Sequence, residues 1–400
     1  MANYNFNQIP PDTYVSLVKA QQVRPRFRLS MLYQDESFKE DISEYLMMGT
    51  GSLNINYQQG QRRSLSFTLD NTTGKFTPNG LQGTLWLDSK FKLELGMEFS
   101  NGDIVWNSAG IFVVGQPNAA RQQANKTVDV QCYDKFALLD GTLGGVLDST
   151  YQVDEGKEIY QVIQETLLQD NGNGYPIDGK EIVFDSSLKG SKTQYTLSKS
   201  PNESFGSILT DLADMISCDI YYGVEGNLIV RSGIKDISQV NKPTLWTYSD
   251  KEWEYLSNTT TYDFTKVKNK VTVCGANSNN ENIYVQTATN TNPQSPTRVS
   301  VIGVKQFYLE DSNIYSDALA QQRAEWELNR LSILQQTIQV SSSFMIHLDV
   351  NNCIALNDEF FDYSDNRFII QSLGVPLSSD SMISIECTNI ASLPYYPSSS

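Results

Sequence analysis

Hydrophobic and polar residues alternate with a two-residue period from Arg26 to about Asp140, which is the pattern of half-buried β-strands. The alternation occurs in RFRLSMLY, LNINY, LSFTL, FKLEL, IFVVG and TVDVQCY, with turn signals such as QQGQRR, DNTTGK and SNGD between them. The predicted inward-facing positions are Phe27, Leu29, Met31, Leu53, Ile55, Tyr57, Leu65, Phe67, Leu69, Val128, Val130 and Cys132. Because helix signals are almost absent, this region predicts an antiparallel barrel or sandwich.

The middle of the chain changes to helical spacing. GKEIYQVIQETLLQD and SPNESFGSILTDLADMIS each place apolar residues at i, i+3, i+4, i+7 and i+8, which predicts two amphipathic helices. For the second helix we predict Ser200 as N-cap, Pro201 at the first helical position and Glu203 completing a capping box. A hairpin follows, with CDIYY and NLIVR joined across GVEG, so the region predicts a small α+β unit.

The strand pattern returns from Lys266, in KNKVTVCGA, TRVSVIGV, QQTIQVSS, RFIIQSL and MISIECTNI. One predicted helix interrupts it, with Ser316 as N-cap and an apolar stripe through Ala320, Ala324, Leu328 and Leu331. The Asn-, Thr- and Ser-rich segment GANSNNENIYVQTATNTNPQSP predicts a long surface loop or an irregular hairpin.

The two β regions share a short pattern. An apolar strand with a Gly- and Pro-containing turn precedes an alternating strand that ends in Cys, first in FVVGQP and VDVQC, then in FII, GVP and ISIEC. A duplication explains this match, and so does the composition that all strands share. The predicted fold class is mainly β with an α+β insert, in which two antiparallel β-barrel domains flank a small α+β domain. The predicted parts are an N-terminal arm (1–25), a first barrel (26–149), an α+β domain (150–235), a second barrel (236–390) with a helix at 316–331, and a flexible tail (391–400).

Charge and hydropathy narrow the possible functions. The 400 residues carry 30 Lys and Arg against 46 Asp and Glu, a net charge of −16, so a polyanion held in a basic groove is disfavoured. No run of about 18 apolar residues predicts a membrane span. The N-terminus MANYNFNQIPPDTY has neither the basic nor the apolar region of a secretory signal peptide.

Histidine and cysteine usage argues against common catalytic and metal sites. His347 is the only histidine, and we predict that it is a half-exposed strand residue. None of the five cysteines lies in a CxxC spacing, so neither a disulfide framework nor a zinc site is indicated. We interpret them as buried structural thiols of a chain folded in a reducing compartment, at Cys132, Cys218, Cys274, Cys353 and Cys387.

The remaining motifs carry little chemistry. The segment around Asp70 lacks the glycine and closing glutamate of a calcium loop and predicts a plain turn. The carboxylates of LNDEFFDYSD could bind a cation or act as an acid–base pair, but they are interpreted as solvated strand ends (Asp358, Glu359, Asp362 and Asp365). Three tryptophans near turns leave an interface or sugar-binding role open (Trp86, Trp106 and Trp246). We expect no catalytic residue, metal or cofactor.

The order of these segments resembles a known family. GSLNINYQQGQRRSLSFTLDNTTGKFTP, LWLDSKFKLELGM, AGIFVVGQ and TVDVQCYDKFALLDG are similar to the first barrel of baseplate hub or tail-tip hub proteins of long-tailed bacteriophages and related contractile injection systems. SPNESFGSILTDLADMISCDIYYGVEGNLIVR resembles their small middle domain. VKNKVTVCGA, SDALAQQRAEWELNR and DNRFIIQSLGVPLSSDSMISIEC resemble their closing barrel. The resemblance spans residues 26–390, and it extends to the N-terminal part of tail-associated lysin proteins.

The resemblance implies a non-enzymatic structural protein of the virion tail, folded in the bacterial host cytoplasm. Such hubs are homotrimers in which each chain gives two tube-like barrels. Six barrels then match a six-fold tail tube or distal tail protein above to a three-fold spike, fibre or other baseplate protein below. The ring surrounds the channel for the tape measure protein and DNA without specific nucleic-acid binding. Negative walls would repel DNA phosphates, which agrees with the acidic balance.

We expect intersubunit contacts from edge strands and hairpins of residues 50–70 and 335–345, and a helix at 316–331 that wedges between barrels. The candidate interface residues are Arg62, Arg63, Trp86, Arg323 and Trp326. Residues 1–25 are interpreted as an extended arm that reaches a neighbour. Two alternatives stay open: a receptor- or glycan-binding tail protein that uses exposed Tyr and Trp, and a glycoside hydrolase that uses paired carboxylates.

Overall fold

The computed structural model describes residue 10 and residues 12–19, 23–80, 83–87, 89–100, 102–123, 125–170, 172, 174–216, 218–232, 242–276, 282–311, 314, 316–379 and 382–389. Its helices are α1 (Asp12–Lys19), α2 (Ile159–Leu167), α3 (Phe205–Met215), α4 (Val299–Ile302) and α5 (Asp317–Leu331). Its strands up to residue 232 are β1 (Val23–Leu32), β2 (Phe38–Asp41), β3 (Ser52–Asn56), β4 (Arg63–Asp70), β5 (Lys90–Phe99), β6 (Ile104–Gln122), β7 (Asn125–Asp134), β8 (Tyr151–Val153), β9 (Val183–Phe184), β10 (Leu197–Lys199), β11 (Cys218–Tyr222) and β12 (Leu228–Ser232). The later strands are β13 (Thr244–Ser249), β14 (Tyr255–Asp263), β15 (Lys270–Ala276), β16 (Asn282–Thr289), β17 (Gln306–Asp311), β18 (Gln335–Ser343), β19 (Cys353–Asp358), β20 (Tyr363–Pro376) and β21 (Met382–Asn389).

One 13-stranded sheet contains strands of both predicted β regions. Its order is β14-β18-β21-β20-β3-β4-β7-β6-β5-β1-β2, and β13 and β19 extend it beside β20. The two regions join where β20 pairs antiparallel with β3, with Leu373 opposite Ile55. The mainly β fold class with an α+β insert is confirmed. The two β regions are continuous with each other, because the end of β20 extends past β19 and offers its backbone to β3.

The alternating residues of the first region form the core as predicted. Phe27, Leu29 and Met31 are buried on one face of β1, and Val128, Val130 and Cys132 on one face of β7. A single apolar cluster also includes residues of the second region, among them Ile354, Ile370 and Cys387. The shared cluster means that the two β regions bury hydrophobic surface together, which is the dominant favourable term in folding.

The N-terminal segment differs from the predicted extended arm. Residues 12–19 form α1, strand β1 begins at Val23, and Tyr14 and Val18 are buried in the shared core. Lys19 pairs with Glu252 at 3.1 Å. The described part of this segment therefore packs on its own chain, because it offers apolar side chains at helical spacing. Residues 1–9 and the predicted tail 391–400 lie outside the described residues.

The α+β insert matches the predicted elements but not the predicted helix start. Helix α2 buries its five predicted apolar-face residues, and β11 and β12 form the predicted hairpin. The N-cap of α3 is Ser204, whose Oγ accepts from the Ser207 N–H at 3.1 Å. Ser200 is not the cap, because Asn202 has φ 75°, a left-handed conformation that a helix starting at Pro201 cannot include.

Between β14 and β18 the chain forms a small three-stranded sheet, β16-β15-β17, covered by α5. Ser316 caps α5 as predicted, with Oγ accepting from the Leu319 N–H at 3.3 Å. One strand prediction is wrong here, because TRVSVIGV contains α4, ended by Gly303 at φ 73°. Of the two structures predicted for the Asn-, Thr- and Ser-rich segment, the irregular hairpin is confirmed, since β16 pairs antiparallel with β15 with a register shift at Gly275 and Ala276. Helix α5 packs on this sheet through Ala320 and Ala324, and its role as a wedge between barrels stays a prediction.

Strand order and register favour the duplication over shared composition as the explanation of the pattern common to the two β regions. The series β3-β4-β7-β6-β5 corresponds to β14-β18-β21-β20-β19. In each series the residue that follows the partner of the Cys is bulged out. In the first series Val114 lies opposite Cys132 and Gly115 is bulged; in the second, Ile370 lies opposite Cys387 and Gln371 is bulged. Beside these, buried Phe112 corresponds to buried Phe368. A shared bulge at a shared position is not expected from strand composition alone, since bulges are specific features of a ladder.

Candidate functional site

Arg62 and Arg63 lie at the junction of the β sheet and the α+β insert. Both are buried, at 4% and 2% exposure, within a segment that leads into β4 at the centre of the sheet. Arg62 pairs with Asp219 of β11 and lies 3.7 Å above the Tyr221 ring. Arg63 pairs with Asp349 of the second β region. Both charges are neutralised within the chain, and an intersubunit role of these arginines stays a prediction.

Asp134, at the end of β7, fixes the backbone that presents both arginines. Its carboxylate accepts the N–H groups of Arg62 at 2.7 Å, Arg63 at 2.9 Å and Phe136 at 3.0 Å. Burial raises the pKa of Asp134 to about 6, although these backbone donors favour the charged form. One carboxylate therefore ties β4 to the start of the insert, which sequence periodicity cannot reveal.

A second charged cluster lies beside the first. The Lys135 ammonium is 2.5 Å from Glu36 and 2.8 Å from Asp178, and it donates to the Gly226 carbonyl at 2.9 Å. Burial raises the pKa of Glu36, but Lys135, Lys180 and Lys90 outweigh burial and hold it below its ordinary value. The cluster joins the β1–β2 turn to the insert, so the sheet and the insert are locked together by buried, paired charges.

An open cleft of about 760 Å³ borders this cluster and is lined by Tyr33, Glu36, Lys90, Tyr175, Asp178 and Lys180. Three carboxylates line the cleft. Asp35 accepts from the N–H and hydroxyl of Ser37, Glu36 and Asp178 are each bonded to lysine, and the Tyr222 hydroxyl donates to Asp178 at 2.8 Å. Carboxylates fixed in ion pairs are poor proton donors. Glu36, whose pKa is held below its ordinary value, is therefore poorly suited to the proton-donor role that a glycoside hydrolase requires.

The other candidate interface residues lie nearer the surface. Trp86 is partly exposed in a turn closed by Ser89. On α5 the half-buried Trp326 ring has the guanidinium groups of Arg323 and Arg330 within 4.9 Å and 5.5 Å of its centroid. Both arginines also pair with buried Glu327. The structure places Trp86 and the α5 group on separate elements and does not bring them together with Arg62 and Arg63, and their role as interface residues stays a prediction.

The strands predicted as contact edges are in the sheet interior. β3 and β4 are paired on both sides, and β18 lies between β14 and β21. The expected edge role of residues 50–70 and 335–345 is therefore wrong for these strands. A local pattern shows which face of a strand is buried, but edge or interior position depends on distant partners.

His347 is buried, unlike the predicted half-exposed strand residue. It lies after the end of β18, between the rings of Tyr14 and Trp246, and its Nδ1 is 3.1 Å from the Tyr14 hydroxyl. Its Nε2 has no hydrogen-bond partner among the described residues. Burial lowers the pKa of His347 to about 3, so the ring is neutral at ordinary pH.

The structure also shows the positions of the cysteines, Asp70 and Asp358. All five cysteines are free and buried, as predicted. Asp70 accepts from the Thr72 N–H at 2.9 Å in a turn, as predicted. Asp358 is buried and accepts the Tyr255 hydroxyl at 2.5 Å, so it is not a solvated strand end. Within the part of the chain that the structure describes, no group of three His, Cys, Asp or Glu side chains could hold a metal ion. None of the helices described is long and apolar enough to cross a membrane.

No family model matches the chain, and no curated protein matches it in sequence. Solved structures do match in fold. A tail protein of Neisseria meningitidis MC58 aligns over 92% of this chain and 98% of its own, with a TM-score of 0.61 and 12% identity. The 43 kDa tail protein of prophage MuSo2 from Shewanella oneidensis aligns over 93% and 100%, with a TM-score of 0.58 and 11% identity. A chain of the PdpA–VgrG complex, in its lidless form, aligns over 94% and 67%, with a TM-score of 0.56 and 10% identity.

The chain therefore has the fold of phage tail proteins, over almost its whole length. The fold expected from the order of sequence segments is confirmed. At 10–12% identity this likeness shows the fold alone.

Proposed function

We propose that this chain is a structural hub of a phage tail tip or baseplate, in which three copies form a ring around a channel. The observation that carries the proposal is the repeated β unit. Each chain contains two strand series with the same order, the same bulge and the same Cys position. Three such chains present six related units, which is the arrangement that joins a six-fold tube to a three-fold tip.

The buried charge clusters support a rigid role. Arg62, Arg63 and Lys135 connect the first β region to the insert and to the second β region through paired, buried charges. An adaptor between two symmetric partners has to keep its repeated units at a fixed relative angle. The net charge of −16 further suits a channel through which DNA passes without binding, because like charges repel.

The partners follow from the same proposal. A tail tube or distal tail protein would lie above the ring, a spike, fibre or other baseplate protein below it, and the tape measure protein and DNA within it. The protein would be part of the virion tail and non-enzymatic.

Single-particle electron microscopy of the purified full chain, combined with mass photometry, tests the proposal. We expect a species of three times the 44.9 kDa of one chain and class averages with three-fold symmetry and six lobes around an open hole. A monomer at all concentrations, or a compact trimer without a central opening, would contradict it. The compact trimer would instead favour a receptor-binding tail protein.

A further inference from the structure

Strand β20 shares one edge between two partners. Its first part pairs with β19, ending where the Ile370 N–H donates to the Asn352 carbonyl at 2.9 Å. After the bulge the same edge continues and pairs with β3, from Ser372 opposite Asn56 to Pro376 opposite Ser52. This second part of the edge joins the two repeated units within one chain.

Strand β6 repeats the first half of this arrangement. It pairs with β5 up to the point where the Val114 N–H donates to the Ser89 carbonyl at 2.9 Å, the counterpart of the Ile370 bond. Beyond the bulged Gly115, residues 116–122 pair with β7 on one side only, and no strand of the described residues pairs with the other side. Gln116, Asn118 and Ala119 are exposed there. The part of β6 that corresponds to the β3-binding part of β20 is therefore an open edge.

Strand β14, the counterpart of β3, is also an open edge. It pairs with β18 and ends the sheet. The shared register makes Thr260 the counterpart of Leu53 and Tyr262 the counterpart of Ile55. Ile55 is 2% exposed because β20 covers it, whereas Tyr262 is 47% exposed and the following Phe264 is 75% exposed. Exposed aromatic residues on an open strand are typical of an interface, since natural proteins otherwise protect such edges.

We propose that β14 of one copy of this chain pairs antiparallel with residues 115–121 of β6 in the next copy, in the register that β3 and β20 use within one chain. The transferred register places Gln116 opposite Asp263, Asn118 opposite Thr261 and Ala120 opposite Thr259. The pairing rests on the proposed ring and specifies how that ring closes. Each copy carries one edge of each kind, so the contact is heterologous and repeats around an axis.

Pro117 reduces the number of backbone hydrogen bonds that this interface can form. In the transferred register it lies opposite Tyr262, where its counterpart Leu373 lies opposite Ile55. Proline has no N–H, so this pair is joined through the Pro117 carbonyl alone. Proline is found on strand edges whose N–H side faces away from the existing ladder. In the same register the neighbouring copy bonds both backbone groups of Ala119 and the carbonyl of Gly115, the counterpart of the Gln371 carbonyl that accepts the Tyr57 N–H at 2.7 Å.

Engineered disulfides test the register. Asn118→Cys with Thr261→Cys joins two exposed positions that the register makes a directly opposed, non-hydrogen-bonded pair, about 4.5 Å apart at Cα, within the range for a disulfide. The matched control, Asn118→Cys with Thr259→Cys, changes the same face but is diagonal, at about 7–8 Å. The native cysteines are buried and do not compete under mild oxidation. Mass photometry of the same samples reports assembly before oxidation.

We expect covalent dimer and trimer on non-reducing gels for the first pair and their loss for the control and for each single variant. In the unmodified protein, hydrogen exchange should show the Thr260 and Tyr262 amides protected on assembly and lose that protection on dilution. A trimer by mass with no cross-link and no protection overturns the edge pairing and leaves the hub proposal standing. A monomer without cross-links overturns both. A ladder that continues past trimer supports the pairing but contradicts the three-fold ring.

Discussion

Replacing His347 by glutamine should make folding less sensitive to acid, because His347 is buried and neutral in the native protein. Its pKa falls to about 3 in the native state from an ordinary value of 6.5. When the pKa of a basic group is lowered in the native state, the free energy of unfolding has its full value above pH 6.5. It decreases as the pH falls below 6.5, because the unfolded chain takes up a proton that the native protein does not. Between pH 7 and pH 5 the loss is about 2 kcal/mol, at 1.36 kcal/mol for each pH unit below 6.5.

His347 is the only histidine, so its imidazole gives one signal in a histidine-labelled NMR sample. We expect that native signal to keep its position between pH 7 and pH 5. The free energies of unfolding from urea titrations at the two pH values should differ by about 2 kcal/mol less in His347→Gln than in the unmodified protein. The control is Tyr14→Phe, which removes the hydroxyl 3.1 Å from Nδ1 but leaves the titrating ring. A native imidazole that titrates near pH 6.5 would refute the reasoning.

Two further predictions concern the junction and the helix start. Arg63→Met alone should destabilise the protein by about 3–5 kcal/mol, because it leaves Asp349 buried without its partner, whereas Arg63→Met with Asp349→Leu should recover most of the loss. Limited proteolysis and urea titration report the stability of both variants. If the two substitutions change the free energy of unfolding additively, the ion-pair account is contradicted. Ser204→Ala should cost about 1 kcal/mol as the loss of the α3 cap. Ser200→Ala should cost clearly less in the same urea titration, and equal costs would favour the earlier start of the helix.

Local sequence patterns are sufficient to predict much of the fold. The two-residue period identified the inward faces of β1, β3, β4 and β7, and helical spacing identified α2, α3 and α5. These signals are local because a side chain's face depends on its own strand or helix. The start of α3 shows the limit of local patterns. Ser200 and Ser204 could each cap the helix, and the left-handed conformation of Asn202 excludes the earlier start.

The sequence by itself determined the mainly β class, the repeated strand pattern and the buried thiols, because each depends on residue type and spacing along a short segment. Only the tertiary structure decided that Arg62 and Arg63 face Asp219 and Asp349, 157 and 286 residues away, and that His347 is buried against Tyr14. It also decided which strand edges are filled and which are open, because an edge is defined by a partner strand that can come from anywhere in the chain. The site proposed for assembly lies on those open edges, where periodicity carries no information.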